Sequence, residues 1–326
     1  MDTLVLKGLT KKFGELVAVD AIDLSIKKGE IFGLLGPNGA GKTTTISMLA
    51  TILSPTEGEA RVCDHDVVKE KDAVRHCIGI VFQDQSLDED LTAQENLFFH
   101  GQLYGMSDEQ IKIKSKEVLE LVELMDRKDD LVKTFSGGMK RRLEIARGLM
   151  HHPKVLFLDE PTLGLDPQAR RHLWEYIKKI NQSEGMTIIL TTHYMDEADF
   201  LCTRIAIIDH GKIMALDTSD KLKDVLGGDI VTLQVSDADK MKTLMEKLEC
   251  EKCVKKVDVF DGSLNVTIKD GGKNIPKIVQ LAEKNKITID SVILKRPSLE
   301  DVFIHYTGRT IREQEPENRL RRFHGR

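Results

Sequence analysis

The sequence predicts an α/β chain built on a parallel sheet, followed by a smaller α+β domain. Short apolar runs at 31–35, 155–158 and 186–190 are each followed by loop residues, as expected for strands buried on both faces of a parallel sheet. The composition changes near Gly227, and strand and helix patterns then follow in the order β-α-β-β-α-β. At 326 residues the chain is long enough for two domains.

A glycine-rich loop (GPNGAGKT, residues 36–43) follows the first of these runs and fits G-x-x-x-x-G-K-[ST] at each fixed position. It precedes a helix-compatible segment, and the amino end of a helix favours phosphate. Lys42 is expected to reach the β- and γ-phosphates of a nucleoside triphosphate, and the Thr43 hydroxyl to hold Mg²⁺. The sequence thus predicts a P-loop NTPase with a RecA-like core. The other loop residues expected to bind the nucleotide are Gly36, Pro37, Asn38, Gly39, Ala40, Gly41 and Thr44.

Two acids follow the apolar run at 155–158. Asp159 is placed to bind the Mg²⁺ shell, and Glu160 to orient and polarise the attacking water. Taken alone, the pair would be read as solvated surface acids, since Asp and Glu are mostly exposed. Together with the phosphate loop they predict a hydrolytic site.

Residues 135–142 (FSGGMKRR) lie between the loop and the acids and resemble the signature of ATP-binding cassette (ABC) ATPases. Further residues stand in the order of that family. Phe13 resembles the aromatic residue that stacks on adenine, and Gln83 the glutamine that contacts Mg²⁺ and senses a membrane partner. Asp166 resembles the loop that crosses the dimer interface, and His193 the switch histidine at the γ-phosphate.

The resemblance covers residues 1–226 and implies an ATPase that binds ATP and Mg²⁺. In that family two domains clamp two ATP molecules head to tail, so Ser136, Gly137 and Gly138 would serve the partner's ATP, next to a helix that begins near Met139. The resemblance makes Lys42, Glu160 and His193 the catalytic residues, and Thr43, Gln83 and Asp159 the metal ligands. It leaves open whether the chain forms a homodimer or a heterodimer.

Residues from about 86 to 150 are expected to form a helical subdomain, because apolar residues recur there at helical spacing. The resemblance assigns this subdomain to docking on separate transmembrane permease subunits. A plain amphipathic bundle without a partner remains the alternative.

Residues 227–308 are expected to form a ferredoxin-like domain. Its ending, residues 296–309, resembles that of daunorubicin-resistance-type drug exporter ATPases and favours export. Leu299, Val302 and Phe303 share one helix face that would pack on the preceding sheet. Residues 309–326 are charged and are expected to be a disordered tail. Strands are expected at 230–235, 254–260, 264–268 and 287–294, and helices at 238–248 and 275–284.

Composition narrows the class of partner. A formal charge of −5, from 48 basic and 53 acidic residues, argues against nucleic acid as a direct partner. The sequence contains no apolar run near the roughly 18 residues that span a bilayer and no signal peptide, so a cytoplasmic protein is expected, peripheral at the membrane through its partner. Cys250 and Cys253 form a C-x-x-C without the second pair that a zinc site needs.

Three functions are therefore weighed. The first is the ATPase subunit of an ABC exporter. The second is a soluble ABC ATPase that acts on ribosomes or nucleic acid, and the third is an idle regulatory module. The intact Lys42, Asp159, Glu160 and His193 argue against the third, and the cargo cannot be read from this chain.

Overall fold

The structure, a computed structural model, describes residues 2–235, 237–260 and 262–308. These residues divide into two compact units, 2–218 and 219–308. The division falls eight residues before the predicted boundary at Gly227, because the helix Ser219–Asp224 packs with the helix Leu299–Thr307 of the second unit. The predicted disordered tail lies outside the described residues.

The first unit contains two sheets. One is antiparallel, in the order β2-β1-β4-β5, and the other has the order β10-β9-β3-β8-β7-β6. The second sheet is parallel except for β10, which runs antiparallel to β9. The strands are β1 (Asp2–Phe13), β2 (Leu16–Lys27), β3 (Ile31–Leu35), β4 (Glu57–Val62), β5 (His65–Asp66), β6 (Ile78–Val81), β7 (Val155–Asp159), β8 (Thr187–Thr192), β9 (Arg204–Asp209) and β10 (Lys212–Asp217).

Helices cover the parallel sheet, and α3 to α5 lie within the predicted helical subdomain. Capping boxes begin α3 at Thr92 and α4 at Ser107, where each hydroxyl accepts a backbone N–H of the first turn. Of the helices that the structure describes, none is both long enough and apolar enough to pass through a bilayer. The helices are α1 (Lys42–Leu49), α2 (Lys71–Cys77), α3 (Ala93–Leu103), α4 (Asp108–Leu121), α5 (Gly137–Gly148), α6 (Pro167–Glu184) and α7 (Met195–Leu201).

Strand β7 shows why the central strands are apolar throughout. Leu156 and Leu158 belong to the apolar cluster that includes the helical subdomain. Val155 and Phe157 point the other way, into the cluster that includes the antiparallel sheet. Since both faces are buried, no position of the strand before Asp159 is left for a polar residue.

The second unit has the predicted element order, and its antiparallel sheet runs β12-β13-β11-β14. Two boundaries were predicted wrongly. Helix α10 begins at Gly271 rather than at 275, and the Asp229 carboxylate accepts a hydrogen bond from the Gly271 N–H. Strand β14 begins at Ser291 rather than at 287, because the apolar Ile287 is buried in the preceding loop. The elements are α8 (Ser219–Asp224), β11 (Asp229–Gln234), α9 (Ala238–Glu249), β12 (Val254–Phe260), β13 (Ser263–Ile268), α10 (Gly271–Lys284), β14 (Ser291–Lys295) and α11 (Leu299–Thr307).

Candidate functional site

The phosphate loop, residues 36–43, joins the end of β3 to the start of α1. Its glycines are required by close backbone approaches. A Cβ on Gly36 would lie 2.2 Å from the carbonyl oxygen of Ile208. Gly41 has a φ of 101°, and a Cβ there would lie 2.4 Å from the carbonyl oxygen of Ala18. The loop is therefore held in one conformation by strands that contact it from both sides.

Lys42 lies at the centre of this loop and is almost fully buried. Its Nζ donates hydrogen bonds to the carbonyl oxygens of Gly36, at 2.8 Å, and Pro37, at 3.0 Å. The same atom pairs with Oε1 of Glu160 at 3.2 Å. Burial lowers the pKa of Lys42, and the charge of Glu160 opposes that shift. The lysine thus joins the loop to the strand-end acid.

Glu160 follows β7 and has a φ of 45°, a left-handed backbone conformation that is uncommon for a residue with a side chain. Its Oε2 lies 3.0 Å from Nδ1 of His193. Burial favours a higher pKa for Glu160, but the hydrogen bond with His193 and the charge of Lys42 outweigh burial and lower the pKa. The carboxylate is therefore ionised at neutral pH, as a base that orients water must be. Backbone strain of this kind is often found at functional sites.

Asp159 and Thr43 bring two oxygen ligands together. The Thr43 hydroxyl donates to Oδ1 of Asp159 at 3.2 Å, and the Thr191 hydroxyl donates to the same atom. Hydroxyl and carboxylate oxygens are the donors that Mg²⁺ prefers. The two side chains therefore fit the metal site predicted for them.

A cavity of about 450 Å³ opens beside the loop. Phe13 lines this cavity and is 48% exposed, and the Lys11 Nζ lies over its ring, 5.1 Å from the centroid. An exposed aromatic ring beside the phosphate loop is suited to stacking on a planar base. Leu16 and Ala18 also line the cavity but were not predicted from the sequence, because the β1–β2 hairpin that brings them there has no motif. The predicted residues that line the cavity are Phe13, Asn38, Gly39, Gly41, Lys42, Thr43, Thr44, Gln83 and Glu160.

A second group of predicted residues does not line this cavity. Helix α5 begins at Gly137, two residues earlier than expected, because the exposed Ser136 caps it by accepting the Met139 N–H at 3.3 Å. Asp166 caps α6 in the same way. The two helix starts are neighbours, since a Cβ on Gly138 would lie 3.4 Å from Cβ of Ala169.

Arg141 is a buried side chain that was not predicted from the sequence. From α5 it donates to the backbone carbonyl oxygens of Asp159 and Pro161, at 2.9 and 2.8 Å, and to that of Phe82. It also pairs with the buried Glu144 at 2.8 Å. One guanidinium thus fixes the chain on both sides of Glu160 and just before Gln83. An arginine in a basic run is usually exposed, so no pattern in the sequence pointed to it.

Replacing Arg141 by alanine is expected to destabilise the first unit by about 3–5 kcal/mol, because Glu144 would remain as a buried charge without its partner. Thermal unfolding of the full chain checks this. Lys140→Ala is the matched control on the same helix, because its partner Glu89 is half exposed and such pairs contribute about 1 kcal/mol or less. Equal changes in the two variants would contradict the role of Arg141.

Glu197 is a second missed residue. It is fully buried in α7 and accepts hydrogen bonds from the Thr162 hydroxyl and the Trp174 indole N–H, both at 2.8 Å. Burial raises its pKa. Thr162 lies in the loop between Glu160 and α6, so the carboxyl group fixes that loop to two helices.

A phosphate loop at the carboxyl end of a parallel strand, with a buried lysine, a metal-type oxygen pair and a strand-end glutamate, defines a P-loop NTPase. Comparison with known proteins agrees. The family model described as ABC transporter matches residues 19–163. The model described as ATP-binding protein DrrA1-3-like, C-terminal domain, matches residues 218–307.

Two curated relatives cover nearly the whole chain. The linearmycin resistance ATP-binding protein LnrL of Bacillus subtilis (strain 168) is 42% identical, over 94% of this chain and 99% of its own. The daunorubicin/doxorubicin resistance ATP-binding protein DrrA of Streptomyces peucetius is 41% identical, over 92% of this chain and 91% of its own.

Among solved structures, the ATP-binding cassette MJ0796, described as a dimer in a post-hydrolysis state with ADP and Pi, is similar with a TM-score of 0.59. It is 31% identical and covers 66% of this chain and 98% of its own. The chain belongs to the ABC transporter family of ATP-binding proteins and has a DrrA-like C-terminal domain. It is an ABC ATPase, and the resemblance inferred from the sequence is confirmed.

Proposed function

We propose that this chain powers an exporter as a pair of copies, on the cytoplasmic face of the membrane and beneath a separate permease. The observation that carries the proposal is the division of the nucleotide-binding residues into two groups. One group is joined around Lys42, where Glu160 pairs with the lysine and His193 contacts Glu160. The other group, Ser136, Gly137, Gly138 and Asp166, lies at the starts of α5 and α6 and is outside the lining of the cavity beside the phosphate loop. We infer that this second group serves the ATP of another copy.

Within one copy, ATP is bound with its adenine at Phe13 and its phosphates at the loop of residues 36–43. Lys42 and the loop N–H groups place positive charge at the β- and γ-phosphates. Glu160 accepts a proton from the attacking water, and His193 orients that carboxylate through Nδ1. Thr43 and Asp159, with Gln83, would hold Mg²⁺, and the bound ion would neutralise phosphate charge.

The second copy supplies the other half of the site. Ser136 and the first N–H groups of α5 form a phosphate-binding helix start that is exposed at the surface. The similar cassette MJ0796 was solved as a dimer, which supports the same arrangement here. Both named relatives are resistance proteins, which supports export and disfavours the alternative of a soluble ATPase on ribosomes or nucleic acid.

The permease is proposed to dock on α3. A groove of about 460 Å³ there is lined by Phe99 and Leu103, which are 55% and 83% exposed, together with Asp88 and Arg147. Exposed apolar side chains rimmed by charges are typical of an interaction surface. Arg147 also donates a hydrogen bond to Ser86, which lies three residues after Gln83. A permease docked at the groove would therefore be connected to the nucleotide site through the short segment from Gln83 to Ser86.

The double variant Phe99→Ser/Leu103→Ser is expected to stop binding the permease. The ATPase rate of the isolated chain should stay unchanged, because both side chains are exposed and distant in sequence from the phosphate loop, residues 36–43. The measurement is a tagged pull-down from detergent-solubilised native membranes, read by mass spectrometry. Ile113→Ser is the matched control, since Ile113 is a 64% exposed apolar residue on the next helix.

Recovery of a polytopic membrane protein with the wild type and with Ile113→Ser, but not with the double variant, is the predicted result. Recovery of ribosomes or DNA instead would support the soluble alternative. Unchanged recovery of the permease by the double variant would contradict docking at this groove and leave the exporter assignment in place.

A further inference from the structure

Three side chains contact one another in a row between the start of α6 and the end of β8. The ring of Tyr194 lies 4.2 Å from that of His193, centroid to centroid, at an angle of 41°. The Cζ atom of Arg170 lies over the Tyr194 ring, 4.0 Å from its centroid. The row therefore leads from α6 to the imidazole that contacts Glu160.

Backbone hydrogen bonds fix both ends of this row. The Tyr194 N–H donates to the hydroxyl of Thr192 at 2.9 Å, and the carbonyl oxygen of Thr192 accepts the N–H of Gly36, the first residue of the phosphate loop, at 3.2 Å. At the other end, the Arg170 N–H donates to the carbonyl oxygen of Asp166 at 2.9 Å, in the first turn of α6. The tyrosine and the arginine thus extend from two ordered elements.

The Arg170 side chain is held by the tyrosine ring. Its Nε atom is buried and has no hydrogen-bond partner within the part of the chain that the structure describes. A buried guanidinium nitrogen ordinarily has an acceptor. Here the guanidinium lies on an aromatic ring instead, and a cation–π contact of this kind is stronger when it is shielded from water.

The His193 ring needs support of this kind. Its side chain is 21% exposed, and its Nδ1 lies 3.0 Å from Oε2 of Glu160. A hydrogen bond at one ring nitrogen fixes a distance but allows the ring to rotate about it, and the second torsion of a histidine side chain is broad. The Tyr194 ring beside the imidazole limits that rotation.

We propose that Tyr194 is a positioning residue for ATP hydrolysis, which holds the His193 ring toward Glu160, and that Arg170 holds Tyr194 in place. The inference rests on the proposed function, in which His193 orients the Glu160 carboxylate. Correct placement of that carboxylate matters in the transition state more than in the binding of ATP. Loss of the row should therefore lower kcat and leave KM for ATP near its wild-type value.

Tyr194→Leu tests this in the full chain, with steady-state phosphate release as the assay. We expect kcat to fall by about 10-fold or more while KM stays within about two-fold, because a small displacement of a catalytic group has effects of this size. Tyr194→Phe keeps the ring and should retain most of the kcat. Arg170→Met should lower kcat several-fold, and Arg170→Met/Tyr194→Leu should be no slower than Tyr194→Leu, because residues that act through one another are not additive.

Phe200→Leu is the matched control. Phe200 lies on α7 and stacks on Trp174, and Nζ of Lys178 on α6 lies 3.7 Å from its ring centroid. The variant therefore removes a cation–π contact to the same helix, α6, as the Arg170–Tyr194 contact. It should lower the Tm and leave kcat per folded molecule unchanged.

His193→Ala separates this inference from the proposed function. If His193→Ala loses kcat but Tyr194→Leu keeps it, the positioning role is overturned and the proposed function stands. Equally slow Tyr194→Phe and Tyr194→Leu, or an equal fall of kcat in Phe200→Leu, would also overturn the positioning role. A wild-type kcat in His193→Ala would overturn the positioning role and the proposed role of the histidine together.

Discussion

Glu160→Gln is expected to lower kcat for ATP hydrolysis by about 10²- to 10⁴-fold and to leave ATP affinity within a few-fold. The amide keeps the shape of the side chain at Lys42 and His193 but cannot accept the proton of the attacking water. Steady-state phosphate release gives kcat, and equilibrium binding of a fluorescent ATP analogue gives the affinity.

Glu30→Gln is the matched control for that variant. Glu30 is as buried as Glu160 and pairs with Arg204 at 2.6 Å, but it lies before β3, at the opposite end of the sheet from the loop. Its replacement should lower stability without changing turnover per folded molecule. Normal turnover by Glu160→Gln would show that another group activates the water.

Lys42→Ala is the second large effect. We expect loss of ATP affinity together with a decrease of about 10²- to 10³-fold in kcat, because the positive charge at the β- and γ-phosphates is removed. The variant also leaves the buried Glu160 without its lysine, so the pKa of Glu160 should rise. Both losses are read by the same two assays.

Lys114→Ala separates this effect from the cost of removing any buried lysine. Lys114 is 5% exposed, against 4% for Lys42, and pairs with Glu117 at 2.6 Å on α4, within the helical subdomain. Affinity and kcat should stay near wild type in that control. If Lys42→Ala kept the affinity of the control, the lysine would not be a phosphate ligand.

The sequence predicted the nucleotide core well because each part is a local pattern. The loop of residues 36–43 needs glycines for close backbone contacts, and an apolar strand followed by two acids marks the end of β7. Each pattern identifies a site residue from neighbours only a few positions away in the sequence. The parallel sheet then brings the ends of the strands to one edge.

The residues that were missed act through tertiary contacts that no local pattern specifies. Arg141 lies in a basic run, and its burial depends on the five backbone and side-chain acceptors that surround its guanidinium. Glu197 lies among other acids, and its burial depends on Trp174 and Thr162. The start of β14 was misplaced because Ile287 is buried in a loop, and apolar periodicity cannot distinguish a buried loop residue from a strand residue.

In the proposed dimer, Ser136 of a second copy completes the ATP site of the first. Sedimentation of Glu160→Gln with ATP and Mg²⁺ tests this arrangement, beside the double variant Glu160→Gln/Ser136→Arg. We expect ATP to convert Glu160→Gln from a 36.7 kDa monomer to a species of twice that mass. The double variant should bind ATP and stay monomeric. A Glu160→Gln chain that binds ATP but never dimerises, or a double variant that dimerises equally, would show that Ser136 does not complete the site.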